Sequence, residues 1–219
     1  LSRGRAMGLR RGTAIVLITA ALGLVGCGGA VSGPADTALP LKDEILEPGP
    51  LGDRAYGNPN APVTIIEYAS LTCPHCRNYH KNVFPEVKRR YIDTGKVRYI
   101  IREFPIGRTA ASAAMVTRCV PESKYLSMTE TFLARQSEWV SQEVRPDAIY
   151  GVAKASGMSR AEFDKCLTNQ AIIDGLTEVK QRGRKYGVIG TPTFFVNGQK
   201  LQGAVTYEEV KALIEPQAS

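Results

Sequence analysis

Residues 63–69 (VTIIEYA) are apolar on both faces apart from one glutamate, the pattern of a strand buried in the middle of a sheet. Gly57, Asn58, Pro59 and Pro62 punctuate the approach to it. Just after the strand, Cys73-Pro74-His75-Cys76 opens a helix, with Pro74 in the first turn, where its missing N–H costs nothing. Tyr79, Val83, Val87 and Tyr91 continue one face at helical spacing, and Pro85 should kink this helix or split it in two. Gly95 ends it, and residues 97–104 read as a second strand. Strand, helix, strand at this spacing is a βαβ unit with parallel strands.

From Thr109 to about Gly187 the pattern turns helical, divided by Pro121, Pro146 and Gly157. Tyr125, Met128, Phe132 and Trp139 form a core stripe that Gln136 interrupts, and Ser159 to Glu162 is a capping box. The sheet resumes at residues 193–196 (TFFV), turns at Asn197-Gly198 and returns over 199–202. A last helix starts from the capping box Thr206 to Glu209 and buries Val210, Leu213 and Ile214. The class is α/β, with a helical insertion between the two parts of the sheet.

With 43% apolar and 22% charged residues, the chain can build a core, and wholesale disorder is excluded. The formal charge of +7 invites a polyanion partner until it is located. Arg3, Arg5, Arg10 and Arg11 lie in residues 1–26, which hold no acid; removing those four from 28 leaves 24 basic residues against 21 acids, a net of +3. No nucleic-acid partner is implied. The arginines precede a short apolar run (TAIVLITAALGLV, residues 13–25), well under the ~20 residues of a spanning helix. Basic start, apolar stretch and small residues describe an export signal. Leu24-Val25-Gly26-Cys27 resembles the lipobox of bacterial lipoproteins, in which the cysteine is lipidated; the alternative is ordinary cleavage near Gly29 or Ala30. Arg10-Arg11 matches a twin-arginine signal poorly, and Met7 is a candidate start. Residues 27–52, rich in Gly and Pro, read as a tether, which puts the start of the folded domain near Asp53.

With Cys27 set aside, Cys73, Cys76, Cys119 and Cys166 remain, and four cysteines allow three pairings. Export places them in an oxidising compartment; Cys73 with Cys76 and Cys119 with Cys166 is the simplest choice. The second pair would staple the insertion; its alternatives are a second redox centre or free thiols. In disulfide exchange the thiolate attacks or leaves. At a helix start, free N–H groups and the helix dipole favour the Cys73 thiolate, and His75 adds a donor. Such sites lower a cysteine pKa from ~8.5 to about 3.5–7.5. Cys76, one turn in, suits a resolving thiol. Glu67 shares a face with Val63 and Ile65, which is costly without a partner or a task; the alternative is a strand-edge glutamate reaching solvent. His80 and Met115 read as packing or surface residues. With two histidines in the chain, a metal site would need Cys73 and Cys76 plus distant ligands, so none is expected.

The buried strand, Cys73-Pro74-His75-Cys76, Thr191-Pro192 before the next strand and Gly203-Ala204 entering the last helix together resemble the thioredoxin fold. The long insertion resembles the DsbA family of exported thiol oxidases, and the resemblance covers residues 53–215. It implies a thioredoxin-like fold (βαβ…ββα) with an inserted helical subdomain. The divisions are an export signal at 1–26, the tether at 27–52, an N-terminal part at 53–108, the insertion and following helix at 109–187, and a C-terminal part at 188–215. It also implies that Glu67 is a buried acid helping to move the proton of Cys76, and that Thr191-Pro192 is a cis-proline loop pairing with an extended substrate. Thr191 departs from the valine common in DsbA and resembles the isomerase branch. The implied protein is periplasmic and lipid-anchored, and donates its Cys73–Cys76 disulfide to reduced exported proteins. It needs no soluble cofactor and is reoxidised by a DsbB-like membrane quinone reductase. The alternatives are a disulfide isomerase or reductase of the same fold, and a non-enzymatic surface lipoprotein. Intact Cys73, Cys76, Glu67 and Pro192 argue against the last.

Overall fold

The computed structural model describes residues 43–218; Cys27, the export signal and residues 27–42 of the tether lie outside the described residues. The elements run in chain order. First come β1 (Arg54–Tyr56), β2 (Val63–Ala69), α1 (Pro74–Asn82), α2 (Phe84–Val87) continued by a π-helical turn (Lys88–Ile92), and β3 (Val97–Glu103). Then follow α3 (Gly107–Cys119), α4 (Glu122–Ala134), α5 (Gln136–Trp139), α6 (Pro146–Ala153), α7 (Arg160–Leu167) and α8 (Gln170–Lys185). The chain closes with β4 (Thr193–Val196), β5 (Gln199–Gln202) and α9 (Tyr207–Ile214).

The sheet order is β1-β3-β2-β4-β5. The two strands apolar on both faces, β2 and β3, pair in parallel with Val63 opposite Val97, and β4 runs antiparallel to β2. Glu67 therefore lies in an interior strand, between Ile101 and Phe194, which removes the strand-edge alternative. The helix after the CPHC segment does split at its proline: α1 ends at Asn82, and Pro85 stands in the first turn of α2. At the β4–β5 hairpin both turn residues have positive φ, 46° at Asn197 and 89° at Gly198, as a two-residue turn of this hand requires. Both capping boxes, Ser159 with Glu162 and Thr206 with Glu209, are formed.

Two features depart from the sequence reading. β1 was not expected, because three residues carry too little periodicity to register; its antiparallel pairing with β3 creates it. Residues 43–52, expected as tether, pack onto the domain. Ile45 is buried, and the Arg102 guanidinium donates to the carbonyls of Ile45 and Glu47 while pairing with Asp53. Leu51 presses so closely on Gly175 that a Cβ there would sit 2.4 Å from its side chain. A Gly- and Pro-rich composition forbids regular hydrogen-bond ladders, but not burial of single side chains or carbonyls bridged by arginine.

The insertion is fastened covalently within itself and joined to the sheet by the Arg118–Glu103 ion pair. A disulfide joins Cys119, at the end of α3, to Cys166 on α7. It closes a loop of 47 residues. Replacing both cysteines with alanine should lower stability by about 2–4 kcal/mol by loop entropy and leave exchange at Cys73 measurable. Thermal melts with non-reducing peptide mapping check this. Free thiols at both positions in the purified protein would end the staple reading, and unchanged stability with an altered redox potential would point to a tuning role.

Candidate active site

Cys73 is the N-cap of α1, extended at φ −78° and ψ 122°, so its sulfur faces the free amides of the first turn. The Cys76 N–H donates to that sulfur at 3.5 Å, and the Cys73 thiol donates to the Thr191 carbonyl at 3.1 Å. Pro74 supplies the helical φ at N1 without an orphaned donor. The peptide between Thr191 and Pro192 is cis. Cys73, Cys76, Pro74 and Thr191-Pro192 are thus brought together across 118 residues of sequence.

The two thiols differ sharply. The Cys76 side chain as hydrogen-bond donor, then Thr191 and the amides of Cys76 and His75, hold the Cys73 pKa down to about 5, against burial, which opposes them. Burial pushes Cys76 well above an ordinary thiol, and the nearby Cys73 and Glu67 push the same way. His75 acts here through its backbone N–H; its side chain is exposed. Alkylation of the reduced protein should therefore begin at Cys73 alone. Its rate should rise as pH passes through about 5, since thiolate accumulates above that value, and level off before neutrality. Mass spectrometry of the labelled peptide checks the site; a midpoint near ~8.5 would remove the thiolate argument.

Beneath the cysteines lies a buried polar cluster. Glu67 is wholly buried; its Oε2 accepts from the Tyr99 hydroxyl at 2.7 Å and pairs with His80 Nε2 at 2.9 Å. His80, expected as a packing or surface residue, is a partner of the buried acid. Its place four residues after Cys76 on α1 turns it inward, against the sheet. Gln136 was also missed. From α5, its amide donates to the carbonyls of Leu71 at 2.8 Å and Cys73 at 3.0 Å, fastening the loop that presents the nucleophile. The sequence signal was there, an amide breaking an otherwise apolar stripe, but only the fold shows what it reaches.

Cys119 and Cys166 belong to the insertion, apart from this cluster. Met115 is buried in α3 as packing. Among the described residues, no group of three or more His, Cys, Asp or Glu could hold a metal ion. Ile189, two residues before Thr191, is 85% exposed and Ile106 is 52% exposed; a cleft of about 420 Å³ is lined by Thr72, Ile106, Thr109 and Val140.

A family model described as Thioredoxin matches residues 51–216. A provisionally named protein-disulfide oxidoreductase of Rickettsia conorii is 35% identical over 150 residues, 67% of this chain and 53% of that one. The chain thus spans about half the length of these curated relatives. Disulfide bond formation protein D of Bacillus subtilis is 24% identical over 175 residues, covering 77% of this chain and 78% of its own. The crystal structure of Wolbachia pipientis alpha-DsbA1 superposes with a TM-score of 0.73 at 31% identity, over 80% of this chain and 94% of that one.

Proposed function

The chain belongs to the DsbA-like family of thioredoxin-fold proteins, and from that premise we propose that it is an exported thiol:disulfide oxidoreductase donating its Cys73–Cys76 disulfide to folding proteins. The observation that carries the proposal is Cys73 at the N-cap of α1, its sulfur taking the Cys76 N–H and lying 3.1 Å from the Thr191 carbonyl before the cis Pro192. That arrangement lowers its pKa to about 5, while burial raises that of Cys76. At pH 7 a thiol of pKa 9 is almost all protonated, whereas Cys73 is almost all thiolate. Holding Cys73 as a thiolate stabilises the reduced form relative to an ordinary dithiol. Stabilising the reduced form makes the disulfide the stronger oxidant. This advantage grows as pH rises from about 5 towards 9, the interval between the two values.

In the forward reaction a substrate thiolate attacks Cys73 Sγ, the Cys73–Cys76 bond breaks, and Cys76 leaves as a thiolate and takes up a proton. A second substrate thiolate then attacks the substrate sulfur of the mixed disulfide and releases Cys73 as its stable thiolate. Two electrons have passed to the enzyme, and a DsbB-like membrane quinone reductase would remove them. Glu67 serves as the proton donor and acceptor for Cys76. The backbone at Thr191-Pro192, with the exposed apolar side chain of Ile189 just before it in the chain, would take an extended substrate segment. Lipidation at Cys27 would hold the enzyme at a periplasmic membrane surface; no helix among the described residues is long and apolar enough to cross a membrane.

Thr191 favours a second reading, an isomerase or reductase whose resting state is the dithiol. Redox titration of Cys73–Cys76 against glutathione separates the two. A couple far more oxidising than glutathione supports the oxidase, and one near or below it supports the alternative.

A further inference from the structure

We propose that His80 is the positioning residue through which protons pass between Glu67 and solvent during exchange at Cys76. The inference rests on the proton-transfer reading of Glu67 and deepens it. Glu67 has no exposure, so a proton it gives to Cys76 must be replaced through a neighbour. Its Oε2 is engaged by Tyr99 and His80, and its Oε1 has no hydrogen-bond partner among the described residues. Burial holds the phenols of Tyr99 and Tyr79 far above the ordinary tyrosine value, so Tyr99 stays a donor and cannot pass a proton on.

His80 differs in chemistry and in place. An imidazole can take a proton on one nitrogen while giving one from the other. Nε2 meets Glu67, and Nδ1, itself buried, has no partner among the described residues. The ring is held by Phe84 and Tyr79, with centroids 4.8 Å and 5.6 Å away. The same residue lines a cavity of about 480 Å³ between α1 and α4, with Arg77, Asn78, Lys81, Glu130 and Ala134 around it. The titratable groups facing His80 are thus Glu67 and Tyr99 from the sheet, Tyr79, Arg77 and Lys81 on its own helix, and Glu130 from α4.

When the Cys73–Cys76 bond breaks, Cys76 leaves with the electron pair and Glu67 gives it a proton. His80 returns one to Glu67 from Nε2 and takes one at Nδ1 from a water that moves in from the cavity beside it. In reverse, the proton of Cys76 runs outward and its thiolate expels the partner thiolate from Cys73.

The test is the full chain with glutathione loaded on Cys73 as a mixed disulfide, following its release by Cys76 across pH. His80→Gln keeps a donor toward Glu67 but cannot relay. It should be slower by at least about tenfold, where general acid–base steps contribute ~10²–10⁴, with a flattened pH profile. Imidazole in solution should restore part of the rate to His80→Ala. Ala134→Phe, at an exposed cavity position, should slow the step with His80 intact by closing the water route. A folded His80→Gln protein with an unchanged rate overturns the proposal, as does slowing without imidazole rescue and without a change in the pH profile. If His80→Gln fails to fold, an unchanged rate in Ala134→Phe overturns it. Glu67→Gln separates the two readings. If it slows release while the His80 variants do not, the relay alone fails; if neither slows release, the Glu67 reading fails as well.

Discussion

Cys73→Ala abolishes insulin reduction and oxidative refolding alike, whereas Cys76→Ala still attacks and accumulates mixed disulfides; this pair of results is the largest effect expected. Exchange requires a thiolate within reach of a partner sulfur. Cys73 provides it, with a pKa of about 5 at a helix start, next to the Thr191-Pro192 backbone. Cys76 has no exposed surface and its pKa is raised well above the ordinary thiol, so it cannot replace Cys73 as the attacking group. Without Cys76 the first attack still occurs, but nothing inside the enzyme expels the bound partner. Non-reducing gels of each variant incubated with a disulfide-bonded substrate such as insulin, whose bond the Cys73 thiolate cleaves, give the readout. Retained turnover in Cys73→Ala would overturn the assignment of the nucleophile.

Arg118→Met lowers stability by about 3–5 kcal/mol, the cost of stranding a buried carboxylate. Arg118, on α3, reaches Glu103 at the end of β3, with one guanidinium nitrogen 2.7 Å from the carboxylate. Tyr125 on α4 donates to the same carboxylate at 2.6 Å, and Arg118 also bridges the carbonyls of Leu51 and Gly52. One side chain thus joins the sheet, the insertion and the segment before β1. The double variant Arg118→Met with Glu103→Leu should recover much of the loss, because no charge is then left buried without a partner. Chemical denaturation of the three proteins measures this. A loss under about 1 kcal/mol in the single variant would place the pair among surface-like bridges.

Some elements were legible because their information is local. The run VTIIEYA is apolar on both faces wherever it is read, and β2 takes those bounds, as do β4 and β5. Pro85 breaks a helix by its own ring, and Asn197-Gly198 turns a hairpin by its own φ preferences. The Cys76 side chain and the amides of Cys76 and His75 that lower the Cys73 pKa lie within four residues of sequence, whereas the contribution of Thr191 comes from the fold. The elements that were missed lack such local causes. β1 is three residues that become a strand only by pairing with β3, and residues 43–52 are fixed by Arg102 and Arg182 from far along the chain.

The candidate site divides in the same way. By itself the sequence placed Cys73 at a helix start, where free amides favour its thiolate. It also singled out Glu67 as an acid on an apolar face. Only the tertiary structure decided what Glu67 meets, because Tyr99 comes from the neighbouring strand and His80 from the helix laid across it. Gln136 interrupts a stripe in the sequence; the fold turns that interruption into two hydrogen bonds on the Cys73 loop. Hydrophobic periodicity marks which face of an element is covered. A buried polar group must instead be matched by particular donors from elsewhere in the chain, and those partners are chosen by packing.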